Sequence, residues 1–291
     1  MIMKISSNEL GSAVAYFKNE LASFYDKSEL ESMLYILFQH YFGVSKTDVV
    51  INKDRKLSES DLLLVIYAVK DLKKYKPLAY IIGEWEFFGL SFFVNKHVLI
   101  PRPETEELVQ LIINDYDNHP PNNILDIGSG SGCIALSLKH HFKNTTVTAW
   151  DVSEEALKVI DINANNLQLA IELQKVDALS NPDVNVKYDV IVSNPPYIMN
   201  KEQTQMHSNV LDYEPHLALF VPNENPLLFY DKISDIAVKH LTKNGSLYVE
   251  INEQFGEDVA LLFNKKGFNK VEIIKDINGK NRMVRAVSTW L

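Results

Sequence analysis

Cysteine is almost missing from this chain: Cys133 stands alone. One thiol excludes an internal disulfide and the paired-thiolate zinc motifs, so a reducing compartment and no metal are expected. Long apolar runs are missing as well. No stretch approaches the roughly 20 residues that a membrane-spanning helix needs, and the N-terminus has no signal-peptide core. Nor does an arginine precede Arg55, unlike an arginine-rich organelle transit segment. A cytoplasmic protein with no membrane partner is the expectation. An excess of basic charge is lacking too. The formal net charge of −9 argues against broad clinging to a phosphate backbone, an affinity that comes from lysine and arginine displacing counterions. No direct stable nucleic-acid binding is expected, although a local basic patch is compatible with the total. Neighbouring His140 and His141 read as solvated residues at a helix end rather than as ligands. Internal repeats and low-complexity segments are absent.

What remains is ordinary globular composition, 46% hydrophobic and 23% charged over 291 residues, enough for two modest domains. From Asn8 to about Tyr75, Leu10, Val14 and Phe17, then Leu30, Leu34, Leu37 and Phe38, then Leu62, Leu63, Ile66, Val69 and Leu72 recur near helical spacing. Ser28 and Ser60 are expected as N-caps, and Gly43 as the end of the second helix. Residues 1–76 therefore read as a small helical bundle without a catalytic constellation, used for substrate docking or for support. Pro77 breaks the run. Glu84–Phe88 and Ser91–Val94 read as two aromatic strands turning at Gly89-Leu90, so that residues 77–98 make a β-hairpin linker. Residues 99–291 form the third part.

That part opens on Leu99-Ile100-Pro101-Arg102-Pro103-Glu104-Thr105-Glu106-Glu107. Pro103 suits a first helical turn, where three glutamates complement the partial positive charge of the helix end. Pro101 and Pro103 also stiffen the backbone on both sides of Arg102, as if its charge were being aimed. Asn123–Ile127 is a short strand ending in Asp126-Ile127, followed by Gly128-Ser129-Gly130-Ser131-Gly132 and an apolar helix from Cys133 to His140. Strand, glycine turn and helix open a nucleotide-cofactor fold. The Gly-x-Gly-x-Gly spacing differs from the dinucleotide fingerprint, yet the glycines still let a ligand approach the backbone. A second strand, Thr146–Trp150, ends in Asp151. In such folds an acid there accepts bonds from both ribose hydroxyls, and Ser153 then caps a helix. A third strand near Glu172–Val176 ends at Asp177-Ala178, where the acid either reaches an adenine amino group or merely makes a turn.

The fourth strand, Val190 to Ser193, runs into Asn194-Pro195-Pro196-Tyr197. Proline fixes φ and has no N–H for a ladder, so the strand stops and a rigid loop begins at its carboxyl end, where open α/β sheets bind ligands. Asn194 Oδ1 and the Pro195 carbonyl are two oxygen acceptors converging on one point, which suits an NH2 group, with Tyr197 as a flat cover. Taken alone, the same four residues are also an ordinary strand stop and turn. Asn225-Pro226 is expected to begin a long helix closed by Asn244-Gly245, followed by a fifth strand, Ser246–Ile251. A hairpin of Val271–Lys275 and Met283–Val287 across Asn278-Gly279 closes the sheet. The alternation from Asn123 onward implies a mainly parallel α/β sheet with right-handed crossovers.

The set Asp126 to Gly132, Asp151 and Asn194 to Tyr197 resembles the signatures of class I S-adenosylmethionine-dependent methyltransferases that modify planar NH2 groups. With Ile100 to Glu106, the helical N-terminal region and the aromatic hairpin, the chain from about Asn8 onward resembles the release factor glutamine methyltransferases. The resemblance implies a seven-stranded, mostly parallel Rossmann-like sheet. It also implies methyl transfer from S-adenosyl-L-methionine, leaving S-adenosyl-L-homocysteine, to the side-chain nitrogen (N5) of the glutamine in the Gly-Gly-Gln motif of class I peptide chain release factors. Carried onto this sequence, Asp126, Gly128, Ser129, Gly130, Ser131, Gly132, Asp151, Asp177, Ala178 and Asn194 would meet the cofactor. Asn194, Pro195, Pro196 and Tyr197 would meet the substrate, with Asn194, Pro195 and Tyr197 catalytic. Independently of the resemblance, a monomer is expected. Ala178 departs from the bulky residue found in many relatives, so adenine packing needs another side chain. Two other readings stay open: a methyltransferase of nucleic-acid amino groups, and a cofactor-binding scaffold without turnover.

Overall fold

Among the described residues, five helices precede the first strand pair. In the computed structural model, which describes residues 5–180, 182 and 185–288, these are α1 (Leu10–Leu21), α2 (Lys27–Phe42), α3 (Lys46–Ile51), α4 (Glu59–Leu72) and α5 (Leu78–Ile82). Serines cap α3 and α4. Ser45 and Ser58 each accept from the N–H three residues on, while Asp48 and Asp61 return a carboxylate to the cap's own N–H. Ser28 and Ser60, expected as caps, lie inside the first turns of α2 and α4 instead. Ser58 starts α4 because Asp61 completes the reciprocal pair, satisfying two orphan backbone donors at once. Gly43 ends α2 with φ 60°, a left-handed conformation that glycine adopts without strain.

The described residues divide into two compact units, one comprising the chain up to Gly83 together with Ser208–Tyr213, the other Glu84–His207 and Glu214 onward. The first has its own core of Leu10, Phe17, Leu34, Leu37, Phe38, Val65, Val69 and Leu72. Phe17 meets Phe38 edge to face at 6.1 Å. On α4 the buried stripe is Val65, Ala68, Val69 and Leu72, with Leu63 exposed. The apolar run Leu62 to Ile66 fits more than one helical face, and only packing selects the frame.

The second unit begins with the antiparallel hairpin β1 (Glu84–Phe87) and β2 (Leu90–Phe93). Its turn is Phe88-Gly89, one residue earlier than expected, with φ 51° and 71°. Two left-handed residues make the tight turn that matches strand twist. The strained Phe88 has its N–H held by the Glu106 carboxylate at 2.8 Å. Next come α6 (Pro103–Tyr116), β3 (Asn123–Ile127), α7 (Cys133–His141), β4 (Thr146–Asp151), α8 (Glu154–Leu167), β5 (Glu172–Lys175) and β6 (Tyr188–Ser193). The short parallel pair β7 (Ile198–Met199) and β8 (Phe220–Val221) comes before and after α9 (Ser208–Leu211) in the chain, α9 itself belonging to the first unit, and α10 (Leu228–His240), β9 (Leu241–Glu250), α11 (Gly256–Lys265), β10 (Asn269–Lys275) and β11 (Asn281–Val287) follow in the second.

Seven strands form one sheet in the order β10-β11-β9-β6-β3-β4-β5. Neighbours from β9 to β5 pair in parallel, whereas β11 runs antiparallel to both β9 and β10. The helix expected from Asn225 to Gly245 is shorter, starting at Leu228 and ending at His240. Asn244 (φ 65°) and Gly245 lie inside β9, where its register against β6 shifts between Tyr188 and Val190. The Asn-Gly pair marks an irregularity in the strand and not a helix cap, because either needs the same positive φ.

Asn163 on α8 fastens the hairpin to the loop after β3. Fully buried, it accepts from Phe93 N at 2.7 Å and donates to Phe93 O at 3.0 Å and Ser131 O at 2.9 Å. Asn163→Leu keeps the branched outline but removes every polar atom and strands three backbone groups, so it should lower unfolding free energy by about 3 kcal/mol. The urea midpoint at unchanged m checks this.

Candidate active site

Register places the chemistry in one row. Ile127 pairs with Trp150 of β4 and with Ser193 of β6, and Ser193 pairs with Val249 of β9. The next residues, Gly128, Asp151, Asn194 and Glu250, therefore stand at one level on the carboxyl edge of the sheet, Asp151 and Glu250 as the last residues of their strands. Asp151 binds the glycine loop directly. Its carboxylate accepts from Gly130 N and Ser153 N, both at 2.9 Å, while Trp150 O accepts from Gly128 N at 2.8 Å and Ser129 N at 3.0 Å. Each carboxylate oxygen of Asp151 keeps a lone-pair direction for a further donor. Burial raises its pKa, opposed by the backbone hydrogen bonds from Ser153 and Gly130.

Gly128 and Gly130 have φ 73° and 56°, and a Cβ built on either meets nothing within 4 Å. Their faces are open to a ligand. Gly132, at φ 80°, instead presses its backbone on Ile160 and Leu136, which a Cβ would meet at 3.0 and 3.2 Å. Asp126 lies beneath the loop, fully buried. One oxygen accepts from Ala135 N at 3.2 Å, and the other has no hydrogen-bond partner among the described residues. Burial lifts this carboxyl to about 7.

Ten of the expected residues, Gly128, Ser129, Gly130, Ser131, Asp151, Asp177, Ala178, Asn194, Pro195 and Pro196, line one cleft of about 250 Å³. Asp126 and Gly132 do not line it and support it from below. Tyr197 does not line it either. Its ring packs against the buried core, and its hydroxyl donates to Glu250 Oε1 at 3.0 Å, so the expected flat cover is absent and the tyrosine serves the cleft from behind. An acid buried behind the sheet edge needs a donor, and the phenol supplies one.

Asn194 is held from the same side. Its Nδ2 donates to Thr105 Oγ1 at 3.1 Å, and Thr105 Oγ1 donates to Glu250 Oε2 at 2.6 Å. Arg102, also on the cleft wall, pairs with Glu214 Oε1 at 2.5 Å, while Glu214 Oε2 accepts from Ile100 N at 3.1 Å. Thr105, Glu214, Glu250 and Phe229 are the residues that sequence reasoning missed. Glu250 had a signal: an acid closing an apolar parallel strand, the pattern that singled out Asp151. Glu214 and Phe229 had none, since chain far from the motifs delivers them. Phe229 of α10 lines the cleft as Ala178 does, and both pack against the same buried cluster.

Residues 12–83 match the PrmC N-terminal domain, and residues 104–213 match the methyltransferase small domain. A protein of Flavobacterium psychrophilum named release factor glutamine methyltransferase is 44% identical over 92% of this chain and 95% of its own length. The chain belongs to the release factor glutamine methyltransferase family. A relative of the same name from Bacteroides thetaiotaomicron is 40% identical over 94% of this chain and 98% of its own. A methyltransferase from Pyrococcus furiosus, 19% identical, shares the fold with a TM-score of 0.53, covering 80% of this chain and all of the other. The enzyme is an S-adenosylmethionine-dependent methyltransferase. Its cleft fits such a cofactor: two glycines leave the backbone bare, Asp151 offers acceptors for hydroxyls, and Val152, Val176, Ala178 and Phe229 supply apolar walls.

Gly132→Ala should cost about 2 kcal/mol of stability through left-handed strain and contact with Ile160, whereas Gly130→Ala, with the strain but no contact, should cost about 1 kcal/mol and should in addition weaken cofactor binding. Calorimetric titration and urea unfolding of both variants separate the effects. Asp126 binds its proton more tightly folded than unfolded, so its contribution to stability is full below about pH 4 and is lost as pH rises through about 7. The stability difference between Asp126→Asn and wild type should accordingly move in the variant's favour between about pH 4 and pH 8, measured by urea unfolding at both.

Proposed function

We propose that the cleft receives the side-chain amide of the glutamine in the Gly-Gly-Gln motif of peptide chain release factors and methylates its N5 nitrogen. The observation that carries this reading is the lip of the cleft. With Asn194 Nδ2 engaged by Thr105, neither Asn194 Oδ1 nor the Pro195 carbonyl accepts a hydrogen bond among the described residues, and both residues stand beside the glycine loop. The names of the relatives support the substrate class.

In this reading Gly128 to Ser131 carry the methionine part of the cofactor against bare backbone, and Asp151 accepts the ribose hydroxyls. Asp177 accepts from the adenine amino group, and Ala178 with Phe229 walls the ring. When bound, S-adenosylmethionine supplies a methyl group already activated by its sulfonium. A carboxamide nitrogen is a poor nucleophile because its lone pair is delocalised. Asn194 Oδ1 and the Pro195 carbonyl accept its two hydrogens and fix the nitrogen in an attacking orientation. As positive charge grows on that nitrogen, the same two oxygens stabilise it. Pro196 stiffens the lip, and Tyr197 steadies it from behind through Glu250. Arg102, tied to Glu214, shapes the entrance. No strong base is required before attack, because the N-protonated amide formed by methyl transfer is a strong acid and releases its surplus proton to water.

Incubation of the enzyme with labelled cofactor and a purified class I release factor should label that factor, and replacing its Gly-Gly-Gln glutamine should abolish the label. Transfer to RNA or DNA with none to the release factor would overturn the reading. Asn194→Ala should lower kcat on the order of 100-fold or more while the cofactor dissociation constant stays near wild type.

A further inference from the structure

Behind Asn194 the hydrogen-bond directions are constrained by proton count. A threonine hydroxyl has one proton to give and two lone pairs. Ionised Glu250 can only accept, and it faces two donors, Thr105 Oγ1 at 2.6 Å and the Tyr197 hydroxyl at 3.0 Å. The Thr105 proton is thereby committed to Glu250 Oε2, and toward Asn194 the hydroxyl offers only a lone pair. The carboxamide must then turn its NH2 inward to Thr105, at 3.1 Å, and its oxygen outward to the cleft. Thr105 and Glu250 are 2% and 1% exposed, so water does not relieve the constraint.

A proton on Glu250 Oε2 reverses the chain. The carboxylic acid donates to Thr105, the hydroxyl donates to Asn194 Oδ1, and the NH2 end faces the cleft. An incoming amide NH2 would then meet donor against donor. We infer that Thr105 and Glu250 are positioning residues which set the end of the Asn194 carboxamide presented to the acceptor amide, so that the charge on Glu250 is read out as the polarity of the lip. The inference rests on the proposed amide-binding role of Asn194.

Several elements face Glu250. Arg282 comes from β11, Glu104 from α6, Tyr197 from the loop after β6 and Cys133 from α7, and the Tyr230 hydroxyl of α10 donates to the Glu250 backbone carbonyl at 3.2 Å. Burial raises the Glu250 pKa, with the hydrogen bonds from Thr105 and Tyr197 and the charge of Arg282 opposing it and Glu104 adding to it. The ionised, productive state is consequently lost at a higher pH than for an exposed glutamate. The sign is a kcat that falls as pH falls.

The test is a pH profile of kcat at saturating cofactor and release factor for wild type, Thr105→Val, Thr105→Ser and Glu250→Gln. Thr105→Val keeps the shape and removes the hydroxyl. It should lower kcat on the order of 100-fold, with the cofactor dissociation constant within about threefold of wild type. It should also lose the acid limb of the profile. Thr105→Ser should restore both rate and limb to within about threefold. Glu250→Gln, which has no titrating group, should lack the limb whatever its rate, and it serves as the deciding variant if Thr105→Val does not fold. A Thr105→Val rate within about threefold of wild type, or an acid limb kept in either Thr105→Val or Glu250→Gln, overturns the relay. Failure of wild type to label the release factor at all refutes instead the proposed function on which the relay rests.

Discussion

Parallel pairing of β3 with β4 on one side and β6 on the other is the constraint on which the site depends. A parallel neighbour can be reached only by a crossover, so each strand must end at the same edge, and each is followed by a loop free to carry function. The chain leaves β3 outward to β4 and β5, then returns to β6 on the opposite side. That reversal opens a crevice between the loops after β3 and β6. Matching register makes the crevice chemically dense, because Gly128, Asp151, Asn194 and Glu250 each follow directly on the level row Ile127, Trp150, Ser193 and Val249. A shift of a single residue in any of these strands would turn its terminal side chain to the other face.

The second constraint is the burial of acids around the cleft. Asp126, Glu214 and Glu250 are each nearly inaccessible, and an unpaired buried charge is costly. Glu214 meets this with Arg102 and a backbone N–H, and Glu250 with two hydroxyls. Asp126 does not meet it fully, which is why its proton is held to about pH 7. The Pro-Arg-Pro-Glu-Thr-Glu segment draws its meaning from these acids. Arg102 anchors to Glu214, Thr105 to Glu250 and Glu106 to the strained Phe88 turn. One helix start thus holds three separate parts of the second unit. Its glutamates still suit the helix dipole, but their hydrogen bonds are the larger constraint.

Much of this was legible in the chain. Glycines at alternate positions after an apolar strand, an acid ending the next strand and Asn-Pro-Pro-Tyr ending a later one each state a local backbone requirement. Ten of the residues so marked line one cleft. The helical N-terminal pattern and the closing hairpin were legible for the same reason, since periodicity and turn chemistry are local. The errors were local ambiguities that packing resolved: the face of α4, the cap serines, the turn at Phe88-Gly89 and the Asn244-Gly245 irregularity.

Sequence alone determined the strand order of chemistry, the rigid lip and the family. Tertiary structure decided which partners stand behind that lip. Tyr197 packs on the core and does not line the cleft, Phe229 joins Ala178 in its lining, and Thr105, 145 residues from Glu250 along the chain, supplies the proton that its carboxylate needs. Such choices are invisible to spacing, because a hydrogen bond or a packed ring depends on distance in space. Only the folded sheet brings together residues that the chain keeps far apart.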